Sequence, residues 1–336
     1  MLQPFEEKTG GQSGTVRPAR RRKGWLGYAG PVFAIGLIVY AVVILYGMAT
    51  RIDPRAIGVA IGNIPAWRVG AALALTAISV VSLATYDVCA VRFLKPSQSI
   101  KTFYAALCGG IANVFANGLG FPILTGATAR YRLYSMIGLD LATVGRIMAL
   151  TWVTMWCGLV FVMSLALTFG ASDDKMLLGS LEADRAAGIA LFAILMGIAL
   201  WGGQGRRVVR LGGWQVRLPS TSILLAMIAA GGIDLLASAA TLYVLLPPDV
   251  VPNPALFMIT YVVAVLFGNA ANTPGGIGVF EATIVTGLGL AERPDIAAGL
   301  ILFRLIYFIA PLAVSIGVFG VIEWRHRRQL RRQRCV

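Results

Sequence analysis

The feature that most limits how this chain can fold is a series of uncharged runs, each about as long as a bilayer is thick. Crossing the hydrocarbon core takes ~20 apolar residues in a helix. Runs of that kind span residues 24–50, 69–86, 102–129, 147–172, 186–205, 218–248 (interrupted only by Asp234), 250–280 and 296–322 (interrupted only by Arg304). Every backbone N–H and C=O in lipid must find a partner within the protein, so such segments become helices. Eight hydrophobic segments predict an all-α polytopic membrane protein rather than a soluble core.

Charge supports that reading. The net charge is +14, and the basic residues cluster between the apolar runs, at Arg17–Lys23, Arg92–Lys101, Arg130–Arg132, Arg206–Arg217 and Arg325–Arg334. Basic loops mark the cytoplasmic side of a membrane protein and can hold anionic lipid head groups; no nucleic-acid partner is expected. Cys89, Cys108, Cys157 and Cys335 show neither paired nor metal-ligand spacing, and His326 is the only histidine. Neither a metal nor a cofactor is expected. Residues 1–24 are polar and read as a disordered basic cytoplasmic tail, 25–322 as the transmembrane domain, and 323–336 as a second basic cytoplasmic tail.

Two apolar runs contain helix breakers. Residues 102–129 hold Asn113, Asn117, Gly118, Gly120, Pro122 and Gly126. The stretch FGNAANTPGGIGVFE, Phe267 to Glu281, holds Asn269, Asn272, Pro274, Gly275, Gly276 and Gly278 and closes on a carboxylate. Proline and consecutive glycines interrupt helices, and bare backbone at membrane depth needs protein or a wet cavity around it. Full crossing by 102–129 would place Arg130 and Arg132 outside. A re-entrant hairpin from the cytoplasm avoids this. The second broken run reads either as a hairpin from outside or as two spanning arms. The expected architecture is six full transmembrane helices plus two re-entrant hairpins, with both termini cytoplasmic.

A shift of 152 residues overlays the two halves, about 31–170 on 183–322. It aligns Phe115, Asn117, Pro122 and Gly126 with Phe267, Asn269, Pro274 and Gly278. Three crossings per half invert the second copy, an arrangement used by secondary transporters with broken helices at the midplane.

Ionisable groups in such segments cost about 2.5–3.5 kcal/mol on insertion scales and are functional candidates. Asp87 stands at the end of one run as an interfacial or a functional carboxylate. Asp234 reads as functional or as half of a buried pair. Glu281 can meet a cationic head group or Arg304, and Arg146 snorkels or meets a phosphate. Asn117, Asn269 and Asn272 add hydrogen bonds at the breaks, while Pro122, Gly126, Pro274, Gly275, Gly276 and Gly278 supply the breaks themselves. Tryptophans 67, 152, 156 and 324 read as interfacial anchors, and Gly231 and Gly232 as helix-packing residues.

Several motifs carry a family resemblance. TGATARYRLYSMIGL (Thr125–Leu139), Arg146 with LTWVTMWCG, and YDVCAVR (Tyr86–Arg92) resemble the first half of the membrane flippase domain of the multiple peptide resistance factor family. IDLLASAATLYVLLP (Ile233–Pro247), NTPGGIGVFEA (Asn272–Ala282) and FRLIYFIAPL (Phe303–Leu312) resemble its second half. The resemblance covers about residues 25–325. It implies a bacterial cytoplasmic-membrane module that flips aminoacylated phosphatidylglycerol, such as lysylphosphatidylglycerol, to the outer leaflet and lowers susceptibility to cationic peptides. The motif positions that carry over are Asp87, Arg130, Arg146, Asp234, Pro274, Gly275, Gly276, Glu281 and Arg304. The family's soluble aminoacyl-transferase domain has no counterpart here, so no enzyme activity is expected. A separate synthase is a possible partner. Alternatives are a flippase for a different lipid, a scaffold docking a synthase, or a membrane enzyme on a lipid-linked substrate.

Overall fold

The computed structural model describes residues 54–96, 99–120, 122–170, 179–203, 208–211, 214–217, 219–251, 253–271, 273–290 and 293–334. The expected first helix, the N-terminal tail, Asn272 and Cys335 lie outside these residues.

A short helix α1 (Pro54–Gly62) leads into α2 (Ala66–Leu94). Two helices, α3 (Thr102–Leu119) and α4 (Pro122–Ser135), follow, then α5 (Leu141–Gly170) and α6 (Leu181–Gly203). The next long helix is α7 (Thr221–Leu245). Helix α8 (Pro254–Ala271) then leads through a single turn at Pro274–Gly276 into α9 (Val279–Gly287). The chain ends in α10 (Pro294–Phe303), a π-helical segment (Arg304–Ile309) and α11 (Ala310–Arg334). Among the described residues, six helical stretches are long and apolar enough to cross a membrane: Ala66–Leu94, Leu141–Gly170, Leu181–Gly202, Thr221–Leu245, Pro254–Ala271 and Pro294–Gln329. The chain departs from the all-α expectation at one place. Within the basic loop, β1 (Val208–Leu211) pairs antiparallel with β2 (Trp214–Arg217), Val208 opposite Arg217.

Side-chain contacts fix how the helices run. Arg68 reaches the carbonyl of Leu246, Ser79 bonds Asp234, and Ser82 bonds the carbonyl of Ala230, so α2 and α7 are antiparallel. Helix α5 crosses α7 where Gly158 meets Gly231, so closely that a Cβ on Gly158 would lie 2.2 Å from the Gly231 backbone. Gly232 faces the Phe161 ring in the same crossing. The expectation that these glycines serve helix packing holds, for the reason small residues recur at membrane helix interfaces.

Both broken runs fold into antiparallel helical hairpins. In the first, Gly126 of α4 packs on Ala116 and Ala112 of α3, and the Tyr104 hydroxyl donates to the Leu133 carbonyl. In the second, Gly276 packs on Gly268, and Gly287 on Thr260. The hairpins open toward opposite ends of the bundle. The open end of α3–α4 lies with the C-terminal ends of α2 and α11, where Arg132 pairs with Glu323 at 2.6 Å. This is the basic end, carrying Arg92, Lys95, Lys101, Arg325, Arg327, Arg328 and Arg331. The open end of α8–α9 lies at the far end, with the close of α7 and the start of α10, where Gly299 packs against Leu245 and Leu246. There, Arg293 bridges Asp249 and Asp295, and its hydrogen bond holds the Asp249 carboxyl below its ordinary range.

One expected break is corrected. Gly126 sits inside α4 rather than at a break, because its missing Cβ is what lets α4 lie on Ala116. The chain turns instead at Gly120, whose φ of 73° suits glycine, and α4 restarts at Pro122. The second break is as expected. Gly275, Gly276 and Gly278 have φ of 58°, 67° and 90°, conformations that a residue with a Cβ adopts only under strain.

Candidate functional site

The first hairpin is held to α2 by a buried ion pair. Asp87, on α2, is fully buried and Arg130, on α4, nearly so. The Arg130 Nε donates to both Asp87 oxygens at 3.2 and 3.0 Å, and Nη2 donates to Oδ1 at 2.9 Å and to Asn113 Oδ1 at 3.1 Å. The Tyr134 hydroxyl donates to Asp87 Oδ2 at 3.0 Å, and Asn113 donates to the Leu83 carbonyl. Gly109 makes the approach possible, since a Cβ there would lie 2.7 Å from that of Asp87. Asp87 is therefore not the interfacial residue one sequence reading allowed. It is a paired carboxylate at the heart of the hairpin's attachment. A planar guanidinium matches a carboxylate in this side-on geometry, and a lysine would not.

The second break carries the other pair. Glu281, in the first turn of α9, accepts from the Gly278 N–H at 2.8 Å and so caps its own helix; a carboxylate there also suits the positive end of the helix dipole. Arg304, where the π-helical segment begins, donates Nε to Glu281 Oε1 at 2.5 Å and Nη1 to the Gly275 carbonyl. Its guanidinium carbon lies 5.2 Å from the Phe280 ring centre and 4.6 Å from that of Phe308. Aromatic faces favour a cation. The third nitrogen, Nη2, is buried and has no hydrogen-bond partner among the described residues. A buried donor left unmade costs about 1–3 kcal/mol, more for a charged group, so this atom is an open valence in the fold. Thr76 Oγ1, one helical turn from Ser79, is likewise buried and without a partner among the described residues.

The two breaks meet. Helix α3 packs on the Pro274–Gly276 turn and on the π-helical segment. A small cavity of about 10 Å³ lies between α2, α3 and the π-helical segment, lined by Val80, Leu83, Val114, Asn117, Gly118, Tyr307 and Phe308. That is room for about one water molecule. Asn117 lines this cavity.

Asp234 lies across the α2–α7 interface. Ser79 Oγ donates to its Oδ1 at 2.5 Å and Tyr86 Oη to its Oδ2 at 2.9 Å. Ser79 also bonds the Tyr307 hydroxyl at 3.0 Å. Among the described residues no cation pairs with Asp234, so the buried-pair expectation does not hold there. Its partners are hydroxyls.

Two expected residues stay apart from this centre. Arg146 is exposed at the basic end and bonds its own helix, through the Ala142 carbonyl and Thr143 Oγ1. Asn269 is exposed on α8. The structure adds Ser79, Tyr86, Asn113, Tyr134 and Tyr307. Tyrosine and serine inside apolar runs give little signal when read singly. Their clue was helical spacing: Ser79 and Tyr86 lie two turns apart on one face of α2.

No family model matches the chain. It is 28% identical over 275 residues to the uncharacterized protein slr0712 of Synechocystis sp., covering 79% of this chain and 83% of that protein. It is 24% identical over 303 residues to the inner membrane protein YbhN of Escherichia coli, covering 87% of this chain and 90% of that protein. Neither match bears on lipid flipping or peptide resistance. Apolar helices of spanning length, together with similarity along most of the chain to an inner membrane protein, make this a polytopic helical membrane protein.

Proposed function

We propose that the protein moves an aminoacylated phospholipid, of the lysylphosphatidylglycerol type, from the inner to the outer leaflet of a bacterial cytoplasmic membrane, and so contributes to cationic peptide resistance. The observation that carries the reading is the Arg304 guanidinium. It sits at the turn of a broken helix against a second hairpin, paired on one side and left with a buried, unpartnered Nη2 on the other.

The chemistry follows from charge balance. A lysyl-lipid head group holds an anionic phosphate and cationic amines. Its phosphate can take Nη2 and compete with Glu281 for the guanidinium. The released carboxylate then meets an ammonium. Every buried charge stays partnered through the exchange, which avoids the several-kcal/mol cost of a lone ion in low dielectric. Two hairpins opening to opposite ends suit an inverted repeat that alternates access to one site. The basic end is taken as cytoplasmic by the positive-inside rule. Similarity to an inner membrane protein supports the location.

Mass spectrometry of the lipid retained by gently purified protein tests the reading. A phospholipid with an aminoacylated head group is expected, and Arg304→Gln should lose it. Retention of phosphatidylethanolamine alone would keep the charge exchange but overturn the aminoacylated substrate. A lipid without phosphate would overturn both.

A further inference from the structure

Resting on the reading above that the chain moves a charged lipid, we propose that Asp234 is a proton-binding site and that movement of the lipid is coupled to its protonation. The membrane carboxylates differ in company. Asp87 faces Arg130 at 2.9 Å and Glu281 faces Arg304 at 2.5 Å. A guanidinium only donates and stays charged, so each of those carboxylates faces a fixed cationic partner. Asp234, midway along α7, faces Ser79 and Tyr86 instead. Among the described residues no cation offsets the cost of its charge, and one proton removes that cost.

The surroundings accept either state. A hydroxyl is both donor and acceptor. With Asp234 ionised, Ser79 and Tyr86 both donate to it. With Asp234 protonated, one hydroxyl turns to accept. Ser79 also bonds Tyr307 at 3.0 Å, with either oxygen able to donate. Asp234, Ser79 and Tyr307 therefore form an unbroken relay whose outer member lines the small cavity between α2, α3 and the π-helical segment. A proton from water taken up at Tyr307 displaces that hydroxyl's own proton to Ser79, and the Ser79 proton passes to Asp234. Both hydroxyls end neutral, and Asp234 becomes the acid. Tyr307 lies in the same π-helical segment as Arg304, and such segments recur at functional sites. A proton on Asp234 weakens its hold on Ser79, and through Ser79 on Tyr307. The anchorage of the segment that carries the lipid-binding guanidinium therefore changes with protonation.

Among the described residues, the titratable groups around Asp234 are phenols, with one thiol beside Tyr86. Tyr86 comes from α2, Tyr307 from the π-helical segment, Tyr261 from α8, and Cys157 from α5 beside Tyr86. Arg304 and Glu281 are paired with each other, as are Asp87 and Arg130. Phenols and thiols ordinarily titrate at about 8.5–10, and Asp234 is the carboxyl in this cluster that has hydroxyl rather than cationic partners among the described residues.

Infrared difference spectroscopy of the protein in phosphatidylglycerol vesicles reads the site directly. Lowering the pH from about 8 to about 5 should bring in a protonated-carboxyl stretch in the wild type and in Glu281→Gln. The band should vanish in Asp234→Asn and shift in Asp234→Glu, which keeps a titrating carboxyl if the asparagine variant folds poorly. Absence of the band, or its survival in folded Asp234→Asn, overturns the site. In the same vesicles, doped with lysylphosphatidylglycerol, an imposed pH difference should change wild-type lipid redistribution by about tenfold and leave Asp234→Asn unmoved. Equal wild-type rates with and without the gradient overturn the coupling. If the band titrates and no lipid moves, the lipid reading and the coupling fall together while the proton site stands.

Discussion

Replacing Asp87 by alanine strands Arg130 inside the helical bundle. The two side chains are 0% and 3% exposed, so water cannot take over the lost contacts. Asp87 accepts three contacts from the guanidinium and one from Tyr134, and the variant leaves those donors without it. Breaking a buried pair by removing one partner costs about 3–5 kcal/mol. The more exposed pair Arg132–Glu323, whose arginine is 46% exposed, supplies the contrast. Glu323→Ala should cost about 0.2–1 kcal/mol, the range of exposed ion pairs. Steric-trap unfolding in bicelles gives both numbers on one scale. The double variant Asp87→Asn with Arg130→Gln should recover part of the loss, because deleting both charges removes the stranded ion. If Asp87→Ala costs no more than Glu323→Ala, the pair does not hold the first hairpin to α2 and the reasoning fails.

Helix α5 offers an internal comparison. Gly158→Ala would push a methyl into the Gly231 backbone and should destabilise by at least the about 1–3 kcal/mol of an overpacked core. Gly145→Ala on the same helix meets nothing within 4 Å, and should be neutral or stabilising by about 0.5–1 kcal/mol. Thermal unfolding in detergent ranks the two. The opposed hairpins are open to cysteine labelling at their wide ends. Lys101→Cys should react with an impermeant reagent only from the cytoplasmic face, and Leu288→Cys only from outside. Labelling of both from one face would contradict hairpins that open to opposite ends.

Much of this fold is legible because the bilayer leaves few options. Uncharged runs of sufficient length become helices, and the described spans begin and end close to where charge and proline place them. The hairpins were readable for a second reason: Arg130 and Arg132 could not be left on the wrong side. Glu281 with Arg304 could be guessed, since each is the lone charge in an apolar run. Asp87 with Arg130 was harder, because proximity to Arg92 made Asp87 look interfacial. Only the return of α4 along α3 brings Arg130 back to α2. Gly126 misled through the repeat pattern. A glycine that opens a turn and one that admits a neighbouring helix look alike in sequence and differ only in φ. The hydroxyl shell of Asp234 was invisible, because Ser79, Tyr86 and Tyr307 come from three turns of two distant segments.

The measurement closest to the central claim is redistribution of lysylphosphatidylglycerol in reconstituted vesicles. An impermeant amine reagent added from outside, followed by separation of the lipids, counts the outward-facing fraction over time. The account predicts exchange between leaflets well above that of protein-free vesicles. Glu281→Gln and Arg304→Gln should each slow it by about tenfold or more, as expected when a group in a charge exchange worth at least about 1.4 kcal/mol is removed. Exchange no faster than in protein-free vesicles, or wild-type rates from both variants, would contradict it.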